Sequence, residues 1–397
     1  MITKTIILVQ LVITFPLFSQ NEIAKDIELY RTTITKNHKN PFKHLSKSRF
    51  DIQIDSLVSK IPILTRPQAT VELLKINAQI SDEHTMVLPS TNFKLPVKFK
   101  IFDDGVLIVS ADSTHQKLLL HKIIAINNNP IIKVLDSLKT LVKLDNPSFT
   151  LFLQEYYLNN TLILNGLGIL NNYDEVNLSL VSPDNKEMKR VLNLIKEESD
   201  VVFKNADTTL LANSKTDNYW YDFNKDKNIL YFNYQRCAES QDKPFSDFNS
   251  NLFKIVERQK PSKLILDLRF NSGGNSSVLK PFIESIQESY LNSNNRFYIL
   301  IGKKVMSSSL MNAVELKRKT NATFVGQSTG GNINHFGEIR YVLLTHLNSR
   351  ITYSTKYWEN WKDHNGALHP DILTPSLVLD YVNGIDRAMK TIYEIRD

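Results

Sequence analysis

The spacing of hydrophobic residues changes twice along the chain of 397 residues. From Asn21 to about Ile80, apolar residues recur at helical spacing and prolines interrupt them, which predicts three short packed helices. From Leu95 to about Leu194, short alternating stretches separated by turn signals predict strands, with one helix from Ile132 to Val142. The first half of the chain is therefore expected to combine a small helical bundle with a β-rich module.

After about Ile229, predicted strands and helices alternate. The apolar run from Leu264 to Leu268 predicts a buried strand, and two further strands are expected at Phe297 to Ile301 and at Thr323 to Val325. Helical patterns connect them. Alternation of this kind implies right-handed crossovers and a mostly parallel sheet, so the predicted fold class is multidomain α/β.

The first 20 residues form a separate unit. A short basic start is followed by an apolar run of 13 residues, Ile6 to Phe18, which is too short to span a membrane. This pattern predicts a secretory signal peptide that is cleaved near Ser19 or Gln20. The mature protein is expected to be exported, to the periplasm or the extracellular space, and to have no stable membrane span.

Composition excludes several classes of partner and cofactor. The net charge of +7 is spread without a basic block, so we expect no nucleic-acid partner. A single Cys allows no internal disulfide and no thiolate zinc site. The nine His include no His-Glu-x-x-His pattern, and we expect neither a catalytic metal nor another cofactor.

Glycine is scarce and clustered. Of the 12 glycines, seven lie in one window of 65 residues: Gly273, Gly274, Gly302, Gly326, Gly330, Gly331 and Gly337. Scarce glycines tend to mark backbone positions that other residues cannot occupy. The window also contains two strand-to-helix joints, which is where open α/β sheets bind ligands.

Both joints carry residues suited to acyl chemistry. At the first, Gly273-Gly274 lets backbone N–H groups face a crevice, where they can stabilise an oxyanion. At the second, Ser307-Ser308-Ser309 begins a helix and can present a nucleophile. Taken singly, the two features are more typical of a tight turn and of a helix N-cap.

Together these joints carry a family resemblance. Asp267-Leu-Arg-Phe-Asn-Ser-Gly-Gly274, the serine-led helix and Val325-Gly-Gln-Ser-Thr-Gly-Gly331 closely resemble the catalytic domain of the C-terminal processing (tail-specific) serine proteases, which include the tricorn core protease. Upstream, Lys122 to Pro130 resembles the end of the family's PDZ-like module. The resemblance implies a signal peptide (1–20), a helical cap (21–92), a PDZ-like β-rich module (93–200) and a ClpP/crotonase-like α/β catalytic domain (201–397).

The resemblance also implies residue roles at the two joints. Ser307 matches the nucleophile, and Ser308 is its rival because three serines follow one another. The backbone N–H groups of Gly273 and Ser308 match the oxyanion donors, with Gly274 beside them in the substrate-binding turn. The lysine base of tail-specific proteases is absent, because Asn332 stands at its position.

Tricorn-like relatives take a histidine base from the segment before the PDZ-like module, and His84 matches it. An acidic residue orients that histidine in the relatives; Glu359 and Asp363 are the first candidates here, and Asp371 is a third. His335 is expected to bind substrate or to replace His84 as the base. Cys237, in a strand-like stretch, is expected to be a buried structural thiol.

The resemblance therefore predicts an exported serine-type endopeptidase that hydrolyses unfolded proteins or C-terminal peptides with a serine nucleophile and a histidine base. A catalytically silent member that binds peptides or apolar ligands is the alternative, because the usual lysine is missing. An ester hydrolase is a weaker third possibility, because the Gly-x-Ser-x-Gly motif is absent. The oligomeric state is not predicted.

Overall fold

The computed structural model describes residues 15–143, 145–206 and 210–395. Most of the predicted signal peptide lies outside these ranges, so export stays a prediction. Within the ranges, no helix combines the length and the hydropathy needed to cross a membrane.

Eleven α-helices occur in the described ranges. They are α1 (Phe15–Asn37), α2 (Lys47–Lys60), α3 (Arg66–Ala78), α4 (Ile131–Lys139), α5 (Pro147–Leu158), α6 (Thr161–Gly166), α7 (Phe245–Gln259), α8 (Lys280–Gln287), α9 (Ser307–Lys319), α10 (Val378–Val382) and α11 (Arg387–Glu394).

The same ranges contain 18 β-strands. The first ten are β1 (Val87–Pro89), β2 (Phe93–Lys94), β3 (Val97–Phe102), β4 (Gly105–Ala111), β5 (Lys122–Ile126), β6 (Asn129–Pro130), β7 (Glu175–Val181), β8 (Glu187–Asn193), β9 (Ile195–Lys196) and β10 (Lys204–Asn205). The others are β11 (Tyr219–Asn224), β12 (Ile229–Tyr234), β13 (Lys263–Asp267), β14 (Phe297–Ile301), β15 (Thr323–Gly326), β16 (His335–Leu344), β17 (Ser349–Trp358) and β18 (Ile372–Leu373).

The N-terminal cap contains the three helices that the apolar spacing predicts. Ser46 caps α2 by accepting a hydrogen bond from the backbone N–H of Arg49, and Thr65 caps α3 in a capping box with Gln68. Apolar residues of all three helices are fully buried, such as Ile27 of α1, Ile54 of α2 and Leu73 of α3. Capping and burial together explain why these segments are helical.

The β-rich module is built on one sheet of order β10-β4-β5-β7-β8, with β3 paired to β4 and β6 to β5. The strands within residues 95–194 agree with the short strands predicted there. Two helices in it, α5 and α6, were not predicted. Because α5 contacts α4, α6 and β3, its apolar residues lie on several sides and form no single stripe that periodicity would detect.

The C-terminal part forms a six-stranded sheet of order β11-β12-β13-β14-β15-β18, in which only β11 is antiparallel. Helices α7, α8 and α9 contribute to the apolar cluster on one face, and α11 contributes to the cluster on the other. Strands β13 and β14 are buried at every residue, which explains their continuous apolar sequences. The predicted alternation and mostly parallel sheet are confirmed.

A long hairpin connects the two halves of the chain. Strand β17 pairs with β16 on one side and with β1 on the other, in a separate sheet of order β1-β17-β16. Residues Leu344, Leu347 and Ile351 of this hairpin lie in the same apolar cluster as the cap and the β-rich module. The hairpin therefore brings the chain that follows Gly330-Gly331 against the cap segment that precedes β1.

Candidate active site

Ser307 is the first residue of α9, directly after the loop that follows β14. Its φ of 52° lies in the left-handed region, which is costly for a residue with a Cβ and is typical of strained functional turns. The side chain is half-buried, and no hydrogen bond within the described ranges occupies its hydroxyl. The position of Ser307 suits a nucleophile.

The other two serines of the triplet have structural surroundings. The Ser308 hydroxyl donates a hydrogen bond of 2.6 Å to the carbonyl oxygen of Gly274, and Ser309 is fully buried. The contact of Ser308 joins the two strand-to-helix turns. Of the two rivals for the nucleophile, Ser307 therefore has the available hydroxyl.

Gly273 packs directly against the Ser307 turn. Its φ is 115°, and a Cβ placed on it would lie 2.8 Å from Ser307 Cβ and 3.1 Å from the backbone N of Ser308. Only glycine fits this approach. The Gly273 N–H donates to Oδ1 of Asn271 at 2.9 Å, whereas the Ser308 N–H has no acceptor among the residues described. One of the two predicted oxyanion donors is thus free in this conformation, and the other is occupied.

His84 lies immediately before β1 and is buried. Its backbone N–H donates to Asp82 Oδ1 at 2.9 Å, and its carbonyl oxygen accepts from the Thr352 hydroxyl at 2.7 Å. The imidazole Nδ1 is buried and has no hydrogen-bond partner in the described part of the chain. Burial lowers the pKa of His84, although the charge of Asp82 and the backbone of Phe336 oppose this shift. The ring is therefore neutral at neutral pH.

His335 stacks on His84, with ring centroids 5.4 Å apart and planes inclined by 25°. Its Nδ1 lies 2.8 Å from the carbonyl oxygen of Asn332, which assigns the proton to Nδ1. Burial and the neighbouring His84 lower the pKa of His335 to about 4. The structure thus brings together the two histidines that the sequence analysis proposed as alternative bases.

Glu83 connects the cap segment to the serine turn. Its carboxylate accepts the backbone N–H of Asn332, at 2.9 Å from Oε2. The point where a Cβ on Gly331 would lie is 3.0 Å from Met306 Cα and 3.1 Å from Glu83 Oε1. Gly331 therefore lies between Glu83, in the segment that carries His84, and the residue before Ser307. No hydrogen bond joins His84 to Ser307 among the described residues.

Asn332, at the position of the family's lysine, has an amide that is held in place. Its Oδ1 accepts from Nδ2 of Asn146 at 3.0 Å, and the same Nδ2 donates to the carbonyl oxygen of Gly330 at 2.8 Å. Asn146 is buried and caps α5. These contacts stabilise the glycine turn. The histidines, and not Asn332, are the candidates for the base.

The three acidic candidates do not meet His84. Glu359 and Asp363 are exposed, and Asp371 pairs with Lys317 at 2.6 Å. Within the described ranges, none of them hydrogen bonds to a histidine. The carboxyl groups beside His84 are instead those of Asp82 and Glu83, its own neighbours in sequence. The segment was identified for its histidine alone, because sequence does not show which of its acidic side chains are buried.

Asp82 is the anchor of this segment. Its side chain is 1% exposed and lies 2.9 Å from His38 Nε2 and 2.6 Å from the Thr85 hydroxyl. Burial disfavours the charged form, but hydrogen bonds from His38 and Thr85 and the charge of His84 together lower the pKa of Asp82 to about 2. The buried carboxylate therefore holds the His84 segment in place.

This anchor predicts a pH dependence of stability. The folded pKa of Asp82 lies below its usual value of 3.8, so its contribution is present above pH 4 and is lost as the pH falls to about 2. The contribution is about 2 kcal/mol, from a shift of about two units. In urea unfolding, Asp82→Asn is expected to lose less stability than the wild type between pH 4 and pH 2. Equal losses would contradict the assignment.

Cys237 is 1% exposed, as the sequence predicts for a structural thiol. Burial raises the pKa of its thiol to about 11, so the thiolate is scarce at neutral pH. Its backbone carbonyl oxygen would lie 2.2 Å from a Cβ on Gly274, where φ is 135°. The backbone of Cys237 thus packs against Gly274 of the first glycine turn.

Two solved structures of the protein CPAF resemble this chain. The complex of mature CPAF with lactacystin gives a TM-score of 0.67 at 10% identity, covering 94% of this chain and 97% of that chain. A serine-to-alanine mutant of CPAF gives 0.64 at 10% identity, covering 96% and 99%. The chain shares the CPAF fold.

The photosystem II D1 C-terminal processing protease is also similar, at 12% identity over 93% of this chain and 98% of that chain, but its TM-score of 0.42 adds no support. No family model and no curated protein sequence matches the chain. The predicted resemblance to C-terminal processing proteases is confirmed at the level of the fold, through the similarity to CPAF. The finer ClpP/crotonase-like and PDZ-like assignments stay predictions.

Proposed function

We propose that the protein is a serine-type peptidase in which Ser307 attacks the peptide carbonyl. The observation that carries this proposal is the Ser307 turn: a strained residue with a free hydroxyl, at a helix N-terminus and against Gly273. The CPAF fold supports it, because solved proteases share this architecture. The helix dipole and the free Ser308 N–H favour negative charge beside the serine.

In the proposed reaction, Ser307 Oγ bonds to the carbonyl carbon while His84 takes the hydroxyl proton. The Ser308 N–H donates a hydrogen bond to the oxyanion. The Gly273 N–H becomes the second donor when it leaves Asn271 Oδ1 and turns to the oxyanion. His84 then returns the proton to the leaving amine. Water releases the acyl group from Ser307 by the same steps.

His84 must approach Ser307 before this reaction, because no hydrogen bond joins the two side chains in the described residues. Closure of the cap on the parallel sheet would bring the imidazole to the hydroxyl, so activity should depend on closure. His335, stacked on His84, would contact the bound peptide. We further propose export of the protein and substrates that are unfolded proteins or C-terminal peptides, presented by the β-rich module.

The same missing hydrogen bond favours a second candidate function. A chain that never aligns His84 with Ser307 would bind peptides or apolar ligands in the cleft without cleaving them. The absence of the family's lysine is consistent with this alternative.

Labelling with a fluorophosphonate probe tests the two candidates. Such probes react with activated serines, and trypsin releases the serine triplet in one peptide, residues 305–317. We expect one adduct, on Ser307, in the folded protein and none after heat denaturation. An adduct on Ser308 would move the nucleophile by one residue. A folded protein without any adduct near neutral pH would favour the binding function.

A further inference from the structure

The His84 side chain is only 5% exposed, and its buried Nδ1 has no hydrogen-bond partner in the described part of the chain. A buried polar atom without a hydrogen bond destabilises the fold. Glu83 Oε1 lies 3.9 Å from this nitrogen, just beyond hydrogen-bond distance. A small rotation of either side chain would satisfy the nitrogen.

Glu83 has the capacity to be that partner. Its side chain is 2% exposed, and its hydrogen bonds in the described residues come from the backbone N–H of Asn332. A carboxylate accepts about four hydrogen bonds, so Glu83 retains unused acceptor sites. Because Oε2 makes the shorter contact with Asn332, Oε1 is the oxygen that can turn to His84.

Burial brings the pKa values of Glu83 and His84 closer to each other. It raises the pKa of Glu83 well above its usual value, with the charge of Asp82 acting in the same direction, and it lowers the pKa of His84. The other titratable groups around the pair are Asp82, on the same segment, His335, at the start of β16, and His38, which contacts Asp82. Once Glu83 accepts a hydrogen bond from His84, the two groups would titrate as a unit.

We propose that Glu83 is the positioning residue of His84 and replaces an acid from the C-terminal region. This inference rests on the proposed function. In the active form, the Glu83 carboxylate accepts a hydrogen bond from Nδ1–H of His84, and Nε2 leaves the backbone of Phe336 to take the proton of Ser307. The carboxylate then stabilises the imidazolium until Nε2 gives the proton to the leaving amine.

The exposure of Glu359 and Asp363 supports this choice. An exposed carboxylate is screened by solvent and is less able to hold a buried imidazole. Glu83 is adjacent to His84 in sequence, so the two side chains belong to one segment of the chain. The carboxylate and the histidine that it orients therefore need not be brought together from distant segments.

NMR of protein labelled with ¹⁵N at histidine tests the pair directly. Above the apparent pKa of the pair, wild-type His84 is expected to carry its proton on Nδ1. Glu83→Gln removes the negative charge and should lower the pKa of His84 by about one unit. Glu72→Gln, an exposed carboxyl on the same cap, is the matched control and should leave His84 unchanged.

Fluorophosphonate labelling of Ser307 supplies the kinetic measurement. Glu83→Gln is expected to slow labelling about 10- to 100-fold and to move the rising part of its pH profile about one unit lower. Glu83→Asp, which keeps the charge, should restore part of the rate. A structural role alone would not move the pH profile.

Three results would overturn the proposal: a bare Nδ1 on wild-type His84, an unchanged His84 pKa in Glu83→Gln, or the expected shift in Glu359→Gln or Asp363→Asn. The wild-type measurement applies even when Glu83→Gln does not fold. Failure of the proposed function is separate. It would leave wild-type Ser307 unlabelled, while the NMR measurements still decide whether Glu83 pairs with His84.

Discussion

Replacing Ser307 with alanine is expected to abolish fluorophosphonate labelling and to reduce peptide hydrolysis by at least ~10³-fold. The nucleophilic oxygen is lost, and neither neighbouring hydroxyl can replace it, because Ser308 bonds to Gly274 and the unpaired Ser309 hydroxyl is buried. Stability should change by less than ~1 kcal/mol, because no hydrogen bond to the Ser307 hydroxyl is lost. Rates of labelling and hydrolysis, with a thermal melt, check this result.

Ser308→Ala is the matched control. It removes the hydrogen bond to the Gly274 carbonyl oxygen, which is worth about 1 kcal/mol, and should slow labelling without abolishing it. If Ser308→Ala abolishes labelling while Ser307→Ala retains it, the nucleophile is Ser308.

The second large effect is expected from Gly273→Ala. The new Cβ would lie 2.8 Å from Ser307 Cβ and 3.2 Å from the carbonyl oxygen of Met306, at a φ of 115° that alanine rarely adopts. The serine turn must shift, and we expect labelling to fall by ~10² or more because such turns tolerate little misplacement. Strain and overpacking should also lower the free energy of unfolding by about 1 to 3 kcal/mol.

Gly168→Ala separates steric contact from backbone strain. Gly168 also has a positive φ, 72°, but a Cβ there would meet no heavy atom within 4 Å. This variant should lose about 1 kcal/mol of stability and keep the wild-type labelling rate. Equal labelling rates for the Gly273 and Gly168 variants would show that Gly273 is not part of the site.

Local signals predicted part of the fold. The strand at Phe297–Ile301 was predicted at its observed bounds, because a strand buried on both faces is apolar without interruption. Helix α9 begins at Ser307, where the serine-rich sequence indicated a helix start. Helices α5 and α6 were missed, since their contacts on several sides leave no amphipathic period. The β16–β17 hairpin was missed as well.

The sequence by itself determined the chemistry available at the two turns: glycines at 273 and 274 where φ is positive, and a serine at the start of a helix. Those features depend on the residue and its immediate neighbours. Only the tertiary structure decided which carboxyl groups surround His84. Strand β1 pairs with β17, more than 250 residues away, and this pairing buries Glu83 and the Asp82 side chain while Glu359 and Asp363 stay exposed. Burial changes proton affinity, and it is set by packing between distant segments, which a local pattern does not encode.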